Sequence, residues 1–199
     1  DLGAFVSSGV LSTSAGEQAR ALTLDPRSRT IYFICRDRPA AVTKVDLASF
    51  TRGPTLSYDW GESFPGVIFK DAGGFAYFGT DTVPAKAVRV QMSNLAISTR
   101  ALPSPAGFNM GMKTGFADPS GVFVYFVSHG LPTRIHRVRT ADFGLDQTLD
   151  LTNSLNDPNL IWTSAVDPGT RRAFIASSGA SPPRIGVIGL NGFSLESTL

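Results

Sequence analysis

Apolar and polar positions alternate in short runs, and Gly, Pro, Asp or Ser ends each run within a few residues. The first complete stretch shows the pattern. Ala21 to Leu24 is a short apolar run stopped by Asp25-Pro26. Thr30 to Cys35 is β-branched and aromatic. Val42 to Leu47 alternates into a turn of small residues, and Phe50 to Tyr58 is a looser strand carrying Gly53-Pro54. Strand-forming residues dominate between the breaks. Helical spacing is not sustained; its nearest candidate, Pro158 to Val166, is short and falls where the other units have a loop and a strand. The pattern predicts an all-β protein.

The pattern also recurs. DPRSRTIYFI (Asp25 to Ile34), DAGGFAYFG (Asp71 to Gly79), DPSGVFVYFV (Asp118 to Val127) and DPGTRRAFIA (Asp167 to Ala176) each run from an Asp through a small turn into a strand with a central aromatic. Those aromatics, Tyr32, Tyr77, Tyr125 and Phe174, are 45, 48 and 49 residues apart. A second landmark is an apolar strand, a small turn and a large apolar residue: KVDLASF, RVQMSNL, RVRTADF and VIGLNGF. It ends at Phe50, Leu95, Phe143 and Phe193, spaced 45, 48 and 50 apart, and a truncated copy ends at Phe5.

Four short strands in about 45 residues is the unit of a β-propeller blade. One such sheet cannot bury both its faces alone, whereas stacking on its copies does so. The small or branched segments GVIF (Gly66 to Phe69), TGFA (Thr114 to Ala117) and TSAV (Thr163 to Val166) suit the crowded innermost strand. The aromatics one strand further out then fill the gap between blades. The predicted organisation is one segment, 1–199, with a blade remnant at 1–13 and blades at about 17–60, 62–106, 108–154 and 157–199. In this phasing the strand at about Phe5 to Leu11 is surplus. The expectation is therefore a window on a longer chain, a six- to eight-bladed ring lacking blades, with a closed four-bladed ring as the second choice.

GVIFKDAGGFAYFGTDTVPAKAVRVQM and AVDPGTRRAFIASSGASPPRIGVIGL resemble YVTN-type and NHL-like propeller repeats over nearly the whole chain. The resemblance implies a propeller architecture and an extracellular or cell-surface location, since YVTN-like repeats are frequent in large surface and secreted proteins. Lactonase-type propellers are similar too, but no site motif of theirs carries over.

Composition narrows the function classes. The 199 residues are 42% hydrophobic and 17% charged, with net charge +2. The densest basic runs, RIHRVR at Arg134 to Arg139 and RDR at Arg36 to Arg38, are short and read as solvated strand faces, so no nucleic-acid partner is expected. No run of apolar residues reaches the length of a membrane span. Cys35, the single cysteine, reads as a small buried residue at a strand end.

Candidate chemistry is sparse. Asp25, Asp71, Asp118 and Asp167 suggest either an acidic ring for calcium or, better, caps of tight turns. A Ser128, His129, Asp118 group lacks a nucleophile elbow, and neighbours on one strand point to opposite faces. His136 completes the histidines without further metal ligands nearby in sequence. No catalytic residue, metal or cofactor is expected. The segments before the innermost strands are richer: SAGEQAR, DWGESFPG, PAGFNMGMK and LNDPNLIW carry Glu17, Trp60, Glu62, Phe64, Phe108, Met110, Asp157 and Trp162. These form a candidate binding rim for a protein or glycan, or the two tryptophans plug gaps between blades. The sequence thus predicts a non-enzymatic structural or adhesive module of a larger surface protein, whose remaining blades are partners too, with assembly into a filament or coat as a related expectation. The rival is a lactonase-like or other hydrolase with its site at a central channel.

Overall fold

A computed structural model describes residues 19–25, 28–35, 40–58, 65–71, 73–80, 82–104, 111–129, 133–151, 161–177 and 182–199. Every regular element among them is a β-strand. Sixteen strands form four antiparallel sheets in chain order. The first sheet holds β1 (Ala19–Asp25), β2 (Thr30–Cys35), β3 (Ala40–Asp46) and β4 (Thr51–Tyr58). The second holds β5 (Pro65–Lys70), β6 (Phe75–Thr80), β7 (Lys86–Gln91) and β8 (Ile97–Ala101). The third holds β9 (Met112–Ala117), β10 (Phe123–Ser128), β11 (Arg134–Arg139) and β12 (Leu145–Asp150). The fourth holds β13 (Ile161–Asp167), β14 (Arg172–Ser177), β15 (Ile185–Gly189) and β16 (Ser194–Thr198). The short helical candidate is therefore strand: β13 takes up most of it. The surplus strand expected near Phe5 to Leu11 lies outside the described residues.

The two sequence landmarks mark two hairpins per sheet, and both hairpins turn through a left-handed residue. Before the second strand it is Arg29, Gly74, Gly121 or Arg171, with φ of 50°, 85°, 74° and 53°. Before the fourth strand it is Phe50, Leu95, Phe143 or Phe193, with φ of 52°, 60°, 55° and 45°. A short loop ending in a left-handed residue matches the right-handed twist of the strands it joins. Only two of the eight positions use glycine, the residue that takes this conformation without steric cost. The first strand of every sheet also carries a register shift near its start, at Ala19/Ala21, Pro65/Val67, opposite Val127/Ser128, and at Ile161/Thr163.

The chain divides into two compact units, 1–59 and 60–199. Within the first, Val42, Val45 and Tyr32 are buried, and Thr43 and Thr55 share a 3.0 Å hydroxyl contact across β3 and β4. Within the second, β9 lies against both β5 and β13. The faces of its three sheets pack through two apolar seams. One gathers Tyr77, Ala87 and Leu102 with Met112, Val124, Phe126, Val138 and Phe143. The other gathers Phe116, Tyr125, Val127 and Ile135 with Ala173, Ile175, Ile188 and Phe193.

The expected filling of gaps between sheets is seen for Tyr77 and Tyr125. Tyr32, Tyr77 and Tyr125 are buried. Phe174 is only half-buried, because Ala173 and Ile175, not Phe174, face the seam with the third sheet.

The seam around Met112 is close enough to test. A Cβ added at Gly79 would overlap the Met112 side chain, whereas one added at Gly53 would meet nothing nearer than the Lys44 carbonyl at 3.5 Å. Gly79→Ala is expected to cost about 2–3 kcal/mol by overpacking, and Gly53→Ala less than about 0.5 kcal/mol, in urea unfolding of the two variants beside the parent.

Candidate functional site

Seven rim residues, Glu17, Trp60, Glu62, Phe64, Phe108, Met110 and Asp157, lie outside the described residues. Trp162 belongs to β13, but its side chain lies outside the description as well. What is described is the set of strands that these segments enter. β9 and β13 are joined by a Thr114–Ser164 hydroxyl contact of 2.8 Å, and Ser164 also donates to the Gly115 carbonyl at 3.3 Å.

The four repeated aspartates are turn residues. Ser28 donates to Asp25 at 2.8 Å. The Ser120 amide donates to Asp118, and the Gly169 amide to Asp167. Asp71 accepts from the Phe75 amide at 3.1 Å. Two of them also reach into a seam: Tyr77 donates its hydroxyl to Asp71 at 2.6 Å, and Tyr125 to Asp118 at 3.4 Å. Arg171, from the neighbouring sheet, closes on Asp118 at 3.2 Å. Burial, with the carboxylate beside it, raises both phenols. Tyr125 is pushed up to about 12 and Tyr77 is raised further. Both stay protonated donors at any ordinary pH. Among the described residues, no three His, Cys, Asp or Glu side chains gather as a metal ion requires.

Next to each of these tyrosines an arginine is gripped between two rings. Arg89 lies 4.7 Å from the Phe75 ring centre and 4.8 Å from that of Phe143. Arg137 lies 4.6 Å from Phe123 and 4.7 Å from Phe193. One ring comes from the arginine's own sheet, and the other from the left-handed turn of the next. Arg89 also donates to the Thr140 carbonyl, and Arg137 pairs with Asp146 at 2.6 Å. These arginines escaped the site reading of the sequence. A signal was present: Lys44, Arg89 and Arg137 each stand six residues before the large apolar turn residue.

Of the Ser128, His129, Asp118 group, Asp118 is engaged by Tyr125 and Arg171. The Ser128 hydroxyl accepts the Arg134 amide at 2.7 Å. Thr80 and Ser177 do the same for Lys86 and Arg184, at 2.8 and 3.4 Å. This hydroxyl is thus a repeated brace across the gap between second and third strands. Cys35 ends β2 at the corresponding place, with its side chain outside the description.

His136 is fully buried. Its Nδ1 is 3.0 Å from the Thr148 hydroxyl, and its Nε2 has no hydrogen-bond partner among the described residues. Burial, helped by the charge of Arg134, pushes its pKa down from 6.5 to about 4. The basic run around it is balanced by carboxylates: Arg134 meets Asp150 at 3.1 Å, and Arg139 meets Asp142 at 3.0 Å. The second run, Arg36 to Arg38, lies outside the described residues.

No protein-family model matches the sequence, and no curated protein matches it significantly.

Two measurements test this geometry. Arg137→Met should lose about 1–2 kcal/mol of stability, because it removes a ring-sandwiched, desolvated cation. Arg139→Met, which removes an exposed pair, should lose less than about 1 kcal/mol. The second is a pH titration of stability. The folded state keeps His136 neutral, while the unfolded chain takes up a proton below about 6.5. Stability is then full above that value and falls as pH drops towards 4, by up to about 3 kcal/mol for this group. His136→Met should flatten that limb of the curve in chemical denaturation between pH 7 and 4.

Proposed function

We propose that the chain is a β-propeller segment of the YVTN-like kind, acting as a non-enzymatic structural or adhesive module of a larger extracellular or cell-surface protein. It engages a protein or glycan through the segments that enter the innermost strands. The observation that supports this reading is the face-to-face stacking of the three sheets of residues 60–199, with first strand beside first strand. That is the way propeller blades pack around an axis. A scaffold of this kind is rigid, and segments leading into adjacent strands can present aromatics together at low entropic cost.

The described polar groups support a structural role for the strands themselves. The buried aspartates and tyrosines are engaged with one another within a sheet, and Arg171 and Arg137 reach across the seam to Asp118 and Phe193. Binding would therefore rest on Trp60, Phe64, Phe108, Met110 and Trp162, with Glu17, Glu62 and Asp157 as polar neighbours. Aromatic anchors with a few polar groups are typical of protein contacts.

The two tryptophans of the chain are Trp60 and Trp162, so their emission reports directly on the proposed surface. Oligosaccharides selected on a glycan array, and proteins captured from an extracellular-matrix extract, are titrated against the chain. A saturable change in tryptophan emission, with affinity at least about ten-fold weaker in Trp60→Ala or Trp162→Ala, is the expected result. Unchanged affinity in both variants, or turnover of a panel of lactones by the parent protein, would overturn the reading.

A further inference from the structure

The fourth sheet differs from the others at its second hairpin. The loop 190–193 joins β15 to β16 and holds the chain's single Asn-Gly pair, Asn191-Gly192. Both residues are exposed. In the other three turns Ala48, Ser93 and Ala141 stand where Asn191 stands, and Ser49, Asn94 and Asp142 where Gly192 stands. Those last three side chains brace their turns. Asn94 and Asp142 accept the amides of Ala96 and Gly144, at 3.0 and 2.8 Å, and Ser49 meets the Thr51 hydroxyl at 2.7 Å. Glycine removes that brace from the fourth turn. It also places a peptide nitrogen with no side chain to shield it directly after an amide side chain.

The Asn191 amide is held from the other hairpin of its sheet. Arg171 donates from Nε to the Asn191 Oδ1 at 2.6 Å. A guanidinium offers donors only, so the atom that faces it is the amide oxygen. The same Arg171 reaches Asp118 of the neighbouring sheet through Nη2 at 3.2 Å. A cationic donor on a carbonyl oxygen draws charge from the carbon and stabilises the oxyanion that forms when a nucleophile adds there. The Gly192 nitrogen is the nearest such nucleophile along the chain, and its attack on Cγ closes a succinimide ring.

We propose that Asn191 is a self-modification site of the folded chain: the Gly192 nitrogen attacks the Asn191 side-chain carbonyl carbon while Arg171 polarises its oxygen, and the isoaspartyl product draws Phe193 out of the seam with β9–β12. In the first step the bond from the Gly192 nitrogen to Asn191 Cγ forms and the Cγ–Nδ2 bond breaks. The Gly192 amide proton leaves with Nδ2 as ammonia. Water then opens the ring. Attack at Cγ gives aspartate. Attack at the backbone carbonyl carbon gives isoaspartate, whose main chain runs through Cβ and Cγ. The net change is amide and water to carboxylic acid and ammonia, with nothing oxidised or reduced.

Phe193 transmits the change. It is fully buried and is the knob of the second seam. Its ring centre lies 5.4 Å from that of Tyr125 and 4.7 Å from the Arg137 guanidinium, which together form its socket. Phe143 is the knob of the first seam and covers Arg89 beside Tyr77. Isoaspartate inserts an extra main-chain carbon two residues before the Phe193 knob. Aspartate keeps the backbone as it was and sets a carboxylate on Arg171 in place of the amide oxygen.

The test uses the full chain at mildly alkaline pH, folded in buffer or unfolded in urea. Peptide mass mapping follows the amide-to-acid mass gain at Asn191, and isoaspartyl-specific enzymatic methylation counts the rerouted product. The folded protein is expected to convert at least as fast as the unfolded one. Arg171→Met should slow the folded protein about ten-fold and leave the unfolded rate unchanged; the effect is smaller than for a buried oxyanion donor because Arg171 is 36% exposed. Gly192→Ala, whose methyl group meets nothing nearer than the Ser194 hydroxyl at 3.6 Å, should slow conversion in both states. An unchanged rate in that variant would exclude the Gly192 nitrogen as nucleophile. The isoaspartyl form, separated by ion exchange, should unfold at lower urea than Asn191→Asp. Slower conversion in the folded than in the unfolded parent would overturn the proposal. So would an Arg171→Met rate equal to or above the parent's, which is the result if the guanidinium only pins the turn. An isoaspartyl form as stable as Asn191→Asp would overturn the effect on the seam. If Arg171→Met fails to fold, the folded and unfolded rates of the parent decide.

Discussion

The middle sheet of residues 60–199, β9–β12, has two apolar faces, and everything else in that unit depends on covering both. In β10, Val124, Tyr125, Phe126, Val127 and Ser128 are all buried in succession, so neither face of the strand meets water. β6 has the same pattern. β14 instead alternates, with Ala173, Ile175 and Ser177 buried and the residues between them partly open. A strand buried on both sides reads as a continuous apolar run, and one buried on a single side alternates. Fully burying a side chain the size of Phe or Tyr is worth about 1.5–3 kcal/mol. That term, repeated along two seams, is what a lone four-stranded sheet cannot obtain.

The polar parts of the seams follow from this burial. A tyrosine placed between two sheets must give its hydroxyl a partner, since a buried unpaired group is costly. The aspartate that already builds the preceding turn is within reach, and it accepts the phenol in both β5–β8 and β9–β12. An arginine in the same layer loses much of its water, and two ring faces replace part of that solvation. The repeated aspartate therefore does two jobs, one in the hairpin and one in the seam. Arg171, left-handed in its own turn, adds a charge from across the seam.

The architecture was legible in the chain because its two periodic landmarks are the two hairpins of each sheet. The Asp-led turn and the large apolar turn residue are local features, and they recur with the strands. Less legible was the conformation of that second turn. Phe50, Leu95, Phe143 and Phe193 are not residues that favour a left-handed backbone, so only their recurrence marks them. Arg137 was misread, and Arg89 passed over, for a related reason. In an alternating strand a cation reads as solvent-facing, and the rings that enclose Arg137 come from residues 14 before and 56 after it. Ser128 was set aside as a nucleophile for want of an elbow motif, and its hydroxyl is one of three equivalent braces. Phe174 matched the tyrosines in sequence but not in burial, because what covers Tyr125 is a neighbouring sheet and not a property of its own strand. The rim residues could be read only as composition, since what they do depends on which side chains converge.

The directionality of the seams constrains how such sheets can associate at all. Knob and socket lie on opposite faces of one sheet: Phe143 covers Arg89 on one side of β9–β12, while Tyr125 and Arg137 meet Phe193 on the other. A two-fold contact would pair like with like, putting a socket on a socket and a cation near a cation. A head-to-tail order lets β9–β12 and β13–β16 each present a turn aromatic to the cation of the preceding sheet. The same asymmetry orders the three sheets of residues 60–199 along the chain, each seam setting the turn side of one sheet on the cation side of the sheet before it.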